Sequence, residues 1–86
     1  MKVILNIFVE SKDLGKVTKK LSEIDCIEDI YEVTGESDIV VILDVPDVLG
    51  FREILKNQIL DIDGIRSTVS SVVTYIHKKD GKTTDE

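Results

Sequence analysis

The 86-residue chain is predicted to fold as an α+β, ferredoxin-like βαββαβ sandwich, and three observations predict it. Four short segments rich in β-branched residues alternate with two stretches of helical periodicity, in the order strand, helix, strand, strand, helix, strand. LSEIDCI (Leu21 to Ile27) and ILDIDGI (Ile59 to Ile65) echo each other 38 residues apart, each at a join of helix to strand. Two βαβ halves of this kind pack as an antiparallel sheet with both helices on one face. The first and third strands are apolar on both faces, so a dimeric α+β barrel type, closed by a second copy, follows.

VILNIFV (Val3 to Val9) reads as a strand covered on both sides, with Asn6 the one polar exception. Ser11 and Asp13 are candidate N-caps, and Leu14, Val17, Leu21 and Ile24 make the apolar stripe of a helix over about 13–24. The stretch 27–34 alternates as a second strand, with Ile27, Tyr31 and Val33 on one face and Glu28, Ile30 and Glu32 on the other. IVVILDV (Ile39 to Val45) is the third strand. Pro46 ends it, Asp47 caps a second helix over about 47–60, and Gly64 precedes a long fourth strand over 65–76, hydroxylated in its first half. KKDGKTTDE (78–86) has no apolar residue and is expected to be a flexible tail after a single domain over 1–77.

A net charge of −6, from 17 acids and 11 bases, argues against direct binding of nucleic acid. Lys12, Lys16, Lys19 and Lys20 read as the wet face of the first helix. No apolar run approaches the ~18 residues of a membrane span, and no targeting signal is visible. A single Cys26 marks a reducing cytoplasm or says nothing, the lack of paired Cys/His spacing argues against a metal site, and no cofactor is expected. His77, beside Lys78 and Lys79, reads as a solvated strand end, so the chain is not expected to be an enzyme.

The polar residues gather in the turn VTGESDIVV (Val33 to Val41). Gly35 can take a positive φ there without steric cost. Asp38 has two readings, a turn acid accepting backbone N–H bonds or a partner for the ammonium of a small ligand. Thr68 suits a strand, whereas Ser70 and Ser71 do not, and want a reason such as a close approach or a ligand.

These same residues resemble the effector-binding (RAM) module of the Lrp/AsnC feast/famine regulators. The matching stretches are IDCI (Ile24 to Ile27), IYEVTGESDIVVILDV (Ile30 to Val45), with Gly35 and Asp38 in the family's GxxD, and IDGIRSTVSSVV (Ile62 to Val73). The resemblance implies sheet-to-sheet dimers, often ringed into octamers, with free amino acids bound between dimers. It maps that site onto Thr34, Gly35, Asp38, Thr68, Ser70 and Ser71, with Asp38 meeting the amino group. Family members carry a DNA-binding domain ahead of this module, whereas here Met1 opens the first strand. The expectation is therefore a stand-alone module acting indirectly, through mixed assemblies with full-length relatives. Two other readings compete. One is a small cofactor-free enzyme with a polar cavity holding Asn6 and Tyr31, where Glu32 is the third candidate; the other is a purely structural oligomerisation adaptor.

Overall fold

The computed structural model describes residues 1–84. Strand β1 (Lys2–Val9) leads through a single 3-10 turn (Ser11–Asp13) into helix α1 (Leu14–Leu21). Strands β2 (Ile27–Glu32) and β3 (Ile39–Asp44) flank the acid-bearing turn. Helix α2 (Val48–Ile54) continues as a π-helical segment (Leu55–Ile59) before strand β4 (Ile65–Val72). Strands β2, β3, β1 and β4 lie in that order with every neighbour antiparallel, the ferredoxin-like topology expected.

Burial alternates strictly along β1, and this decides which face does what. Val3, Leu5 and Ile7 are fully buried beside Ile39, Val41 and Leu43 of β3, under Val17, Leu21, Phe51 and Ile59 from the helical layer. Each such side chain stabilises the fold by roughly 1.5–3 kcal/mol. The intervening residues Ile4, Phe8, Val40 and Ile42 point to the other face, which no helix covers and where Tyr31 and Val69 are 53% and 54% exposed. The predicted two-sided apolar sheet is therefore present, with one side open.

Several boundaries and one phase differ from the sequence expectation. Helix α1 stops at Leu21, although Ile24 stays buried and its N–H still reaches the Leu21 carbonyl at 3.0 Å. Neither Ser11 nor Asp13 caps through its side chain; the Asp13 carboxylate lies 3.6 Å from Lys16 instead. Asp47 does cap, its Oδ1 accepting the Gly50 N–H at 2.7 Å. In β2 a bulge between Ile27 and Asp29 shifts the alternation, so Ile27 and Ile30 both pack on the core while Tyr31 turns to the open face. Strand β4 ends at Val72, because its neighbour β1 begins at Lys2 and offers no rung beyond Val73.

The segment expected to be a loose tail contains a hairpin, β5 (Lys78–Lys79) against β6 (Lys82–Thr83). Asp80 and Gly81, at φ 52° and 80°, close it, the Asp-Gly pairing that suits a two-residue turn. The last two residues of that segment, Asp85 and Glu86, lie outside the described residues.

Candidate functional site

The turn between β2 and β3 is closed by the Val33 N–H donating to the Asp38 carbonyl at 3.0 Å, which brings Thr34, Gly35 and Asp38 together. Gly35 sits at φ 122°, the conformation its lack of a Cβ permits. Thr34 and Gly35 are exposed, and Asp38 is half-buried.

Asp38 is held from both its backbone and its side chain. Its N–H donates to the Ile7 carbonyl at 3.1 Å, and its Oδ2 accepts the Val9 N–H at 2.9 Å. The register of β1 on β4 shifts between Phe8 and Val9, beyond the last rung of β1 on β3 at Ile7 and Ile39. An N–H left unpaired at such a place would be costly, so the carboxylate satisfies a real donor. Among the described residues Oδ1 carries no hydrogen bond.

The three hydroxyl residues of β4 are not one group. Thr68 pairs with Ile7, the residue whose carbonyl receives Asp38, and so belongs to the same corner. Ser70 and Ser71 pair with Leu5 and Ile4, farther along β1 by two and three residues, roughly 7–10 Å. They also face opposite ways: Ser70 shares the helix face with Leu5, and Ser71 the open face with Ile4.

Two residues that sequence reasoning did not join turn out to be partners. Ser37, the one buried polar residue among those described, donates from Oγ to Asn6 Oδ1 at 3.1 Å. Together with Phe8, Glu36 and Val69 they line a recess of about 170 Å³ on the open face. A polar Asn6 in an apolar strand was the available signal, since a half-buried amide favours a partner. Asn6 and Tyr31 flank Val40 on this open face, and Glu32 pairs with Ile39 on the other. Among the described residues, those buried between sheet and helices are apolar, and Asn6 and Tyr31 lie on the other face. His77 is exposed near the β5–β6 hairpin, stacked edge-on against Tyr75 with ring centres 4.7 Å apart.

A larger cleft of about 410 Å³ opens between the C-terminal ends of the two helices, lined by Lys16, Lys20, Glu23, Asp61 and Asp63 among others. Its charges are mixed and solvated, and it lies on the helix side of the sheet. Two titrating groups depart from their ordinary behaviour. The hydrogen bond that the Lys2 ammonium donates to the Glu28 carboxylate, at 2.6 Å, raises Lys2 above lysine's usual 10.5, and burial pushes the Cys26 thiol above 9.0. No helix among the described residues is long and apolar enough to cross a membrane.

Comparison with known proteins shows the family and the fold. The family model described as the Lrp/AsnC ligand binding domain matches residues 2–83. An uncharacterised HTH-type transcriptional regulator of Pyrococcus furiosus is 28% identical over 75 residues, which are 87% of this chain and 51% of that protein. The structure of E. coli AsnC superposes with a TM-score of 0.84 at 25% identity, over 86% of this chain and 50% of AsnC. The chain thus spans about half the length of each of these relatives. A feast or famine regulatory protein from M. tuberculosis, solved in complex with L-methionine, shares the fold with a TM-score of 0.81 at 19% identity, over 98% of this chain and 56% of that one.

Proposed function

The chain belongs to the Lrp/AsnC ligand-binding domain family, and we propose that it is an amino-acid-binding regulatory module that works through self-assembly. The observation that carries this reading is the uncovered sheet face bearing Ile4, Phe8, Val40 and Ile42, which a second copy of the same chain would bury. The turn of Thr34, Gly35 and Asp38 lies at the rim of that face, where a ligand would be felt by the assembly.

In this proposal one carboxylate oxygen of Asp38 keeps the Val9 N–H while the other receives the ammonium of a free amino acid. Backbone N–H groups of the turn hold its carboxylate, while Thr68 ends the same row on the helix side beside Ile7. Ser71, on the open face with Ile4, lines a neighbouring stretch of the seam contributed by assembled copies, whereas Ser70 stays on the helix side. The L-methionine bound to the M. tuberculosis relative supports an amino acid as the ligand class. The module binds its ligand without turning it over, consistent with a family of transcriptional regulators. Such regulators act in the cytoplasm, and full-length relatives are natural partners for a ring of dimers.

Titration calorimetry against each of the twenty amino acids, at concentrations up to millimolar, tests the reading. At least one should release heat with a saturable isotherm, and Asp38→Asn should abolish it. Silence across all twenty contradicts it.

A further inference from the structure

Strand β4 hands the chain on at one end of the sheet: the Val73 N–H donates to the Lys2 carbonyl at 2.9 Å, and the β5–β6 hairpin follows. The hairpin is tied to itself, with the Thr84 N–H on the His77 carbonyl at 3.1 Å. Strands of two residues each make a hairpin that is marginal without a surface to lie on. The molecule is correspondingly long, 45 × 29 × 20 Å, with a radius of gyration of 13.4 Å. A compact chain of this length would have about 12 Å.

Charge is divided unevenly between this arm and the opposite sheet edge. The arm exposes Lys78, Lys79 and Lys82 around Asp80, and Asp85 and Glu86 follow it in sequence. Between Lys20 and Arg52, the stretch that forms β2 and β3, the chain carries nine acids and no base. Lys2 reaches Glu28 at 2.6 Å and the terminal ammonium reaches Asp44 at 3.3 Å. Asp25 and Asp29, at the start of β2, make no ion pair within 4.0 Å among the described residues, although Lys2 feels the charge of Asp29.

The register shows how the two could meet. Ile27, Leu43, Val3 and Val72 form one row across the sheet, so β2 begins at the same end at which the arm leaves β4. Within a single chain the full width of the sheet separates them. When two sheets stack about a two-fold axis parallel to their strands, β4 of one copy lies over β2 of the other and like ends coincide. Resting on the two-copy assembly above, we propose that the β5–β6 arm of each copy docks on the β2 edge of its partner, with Lys78, Lys79 and Lys82 facing the partner's acidic strand start. Two such contacts are made per dimer, related by the same axis. They select this two-fold over one perpendicular to the strands, which would set β4 against β4.

A charge-swap experiment read by sedimentation equilibrium at low salt tests the docking. The arm variant carries Lys78→Glu, Lys79→Glu and Lys82→Glu; the edge variant carries Asp25→Lys and Asp29→Lys. Each alone should weaken the dimer by about tenfold or more, since several partly exposed pairs turn repulsive at once. Mixed one to one, the two should recover a heterodimer of wild-type affinity, because both of its contacts are again attractive. An arm variant that dimerises like the wild type, or a mixture no tighter than its components, overturns the docking. Val40→Asp on the open face separates this from the underlying reading. If it abolishes the dimer while the arm variant does not weaken it, the sheet packing stands and the arm docking falls; a wild type that stays monomeric removes both.

Discussion

The Asp38 carboxylate accepts the backbone N–H of Val9 at 2.9 Å, 29 residues away in sequence, and so ties the β2–β3 turn to the end of β1. This bond gives Asp38 a structural duty beside the ligand-binding one proposed for it, and the two separate by chemistry. Asn keeps an acceptor for the Val9 N–H and loses the charge that an ammonium needs. Asp38→Asn should therefore melt within about 1 kcal/mol of wild type, whereas Asp38→Ala, which orphans the N–H, should lose about 1–3 kcal/mol. Chemical denaturation of the two variants checks this; equal losses would show that the bond is not what holds the turn.

The Ser37 to Asn6 hydrogen bond makes a second contrast. Ser37→Ala leaves the Asn6 acceptor unpaired beside apolar neighbours and should cost about 1 kcal/mol, while the double variant Asn6→Val, Ser37→Ala removes both partners and should recover most of that loss. A double-mutant cycle by urea unfolding measures the coupling.

Two glycines predict opposite signs. Gly64 has φ 104°, and a Cβ there would come within 2.7 Å of the Asp13 Cβ, so Gly64→Ala should destabilise by about 2–3 kcal/mol. Gly15 lies in α1 with open space around it, and Gly15→Ala should stabilise by about 0.5–1 kcal/mol. Thermal melts of the pair test both.

Stability should fall at alkaline pH. Burial raises the Cys26 thiol above 9.0, and the Glu28 hydrogen bond raises Lys2 above 10.5, so in both cases the native chain holds its proton where the unfolded chain releases it. These contributions are complete below the ordinary values and are lost as pH rises, first through Cys26 and then through Lys2. The same shift makes Cys26 a poor nucleophile at pH 8, and its alkylation by iodoacetamide should be slower than that of free cysteine.

What the sequence made legible was whatever depends on local spacing. The stripe from Leu14 to Leu21, the apolar run of β1 and the Asp47 cap three residues from its donor all follow from short intervals, and all are present. The partners of Asp38 and Ser37 lie 29 and 31 residues away, and no spacing says which orphaned donor a turn acid will find. The bulge after Ile27 leaves no mark in composition, yet it decides that Tyr31 rather than Ile30 faces the open side. Likewise Ser70 and Ser71 read as a pair in the sequence, although in a strand adjacent residues point apart. The β5–β6 arm escaped notice because its strands are too short and too polar to carry a period, even though its Asp-Gly turn was in view.

Sedimentation velocity with and without each amino acid, on the wild type and on Asp38→Asn, reports assembly and ligand response together. The proposal predicts a wild type that sediments as a dimer or larger, shifts with at least one amino acid, and loses only that shift in Asp38→Asn. A wild-type profile that is monomeric, or that is unmoved by all twenty at millimolar concentration, would contradict it.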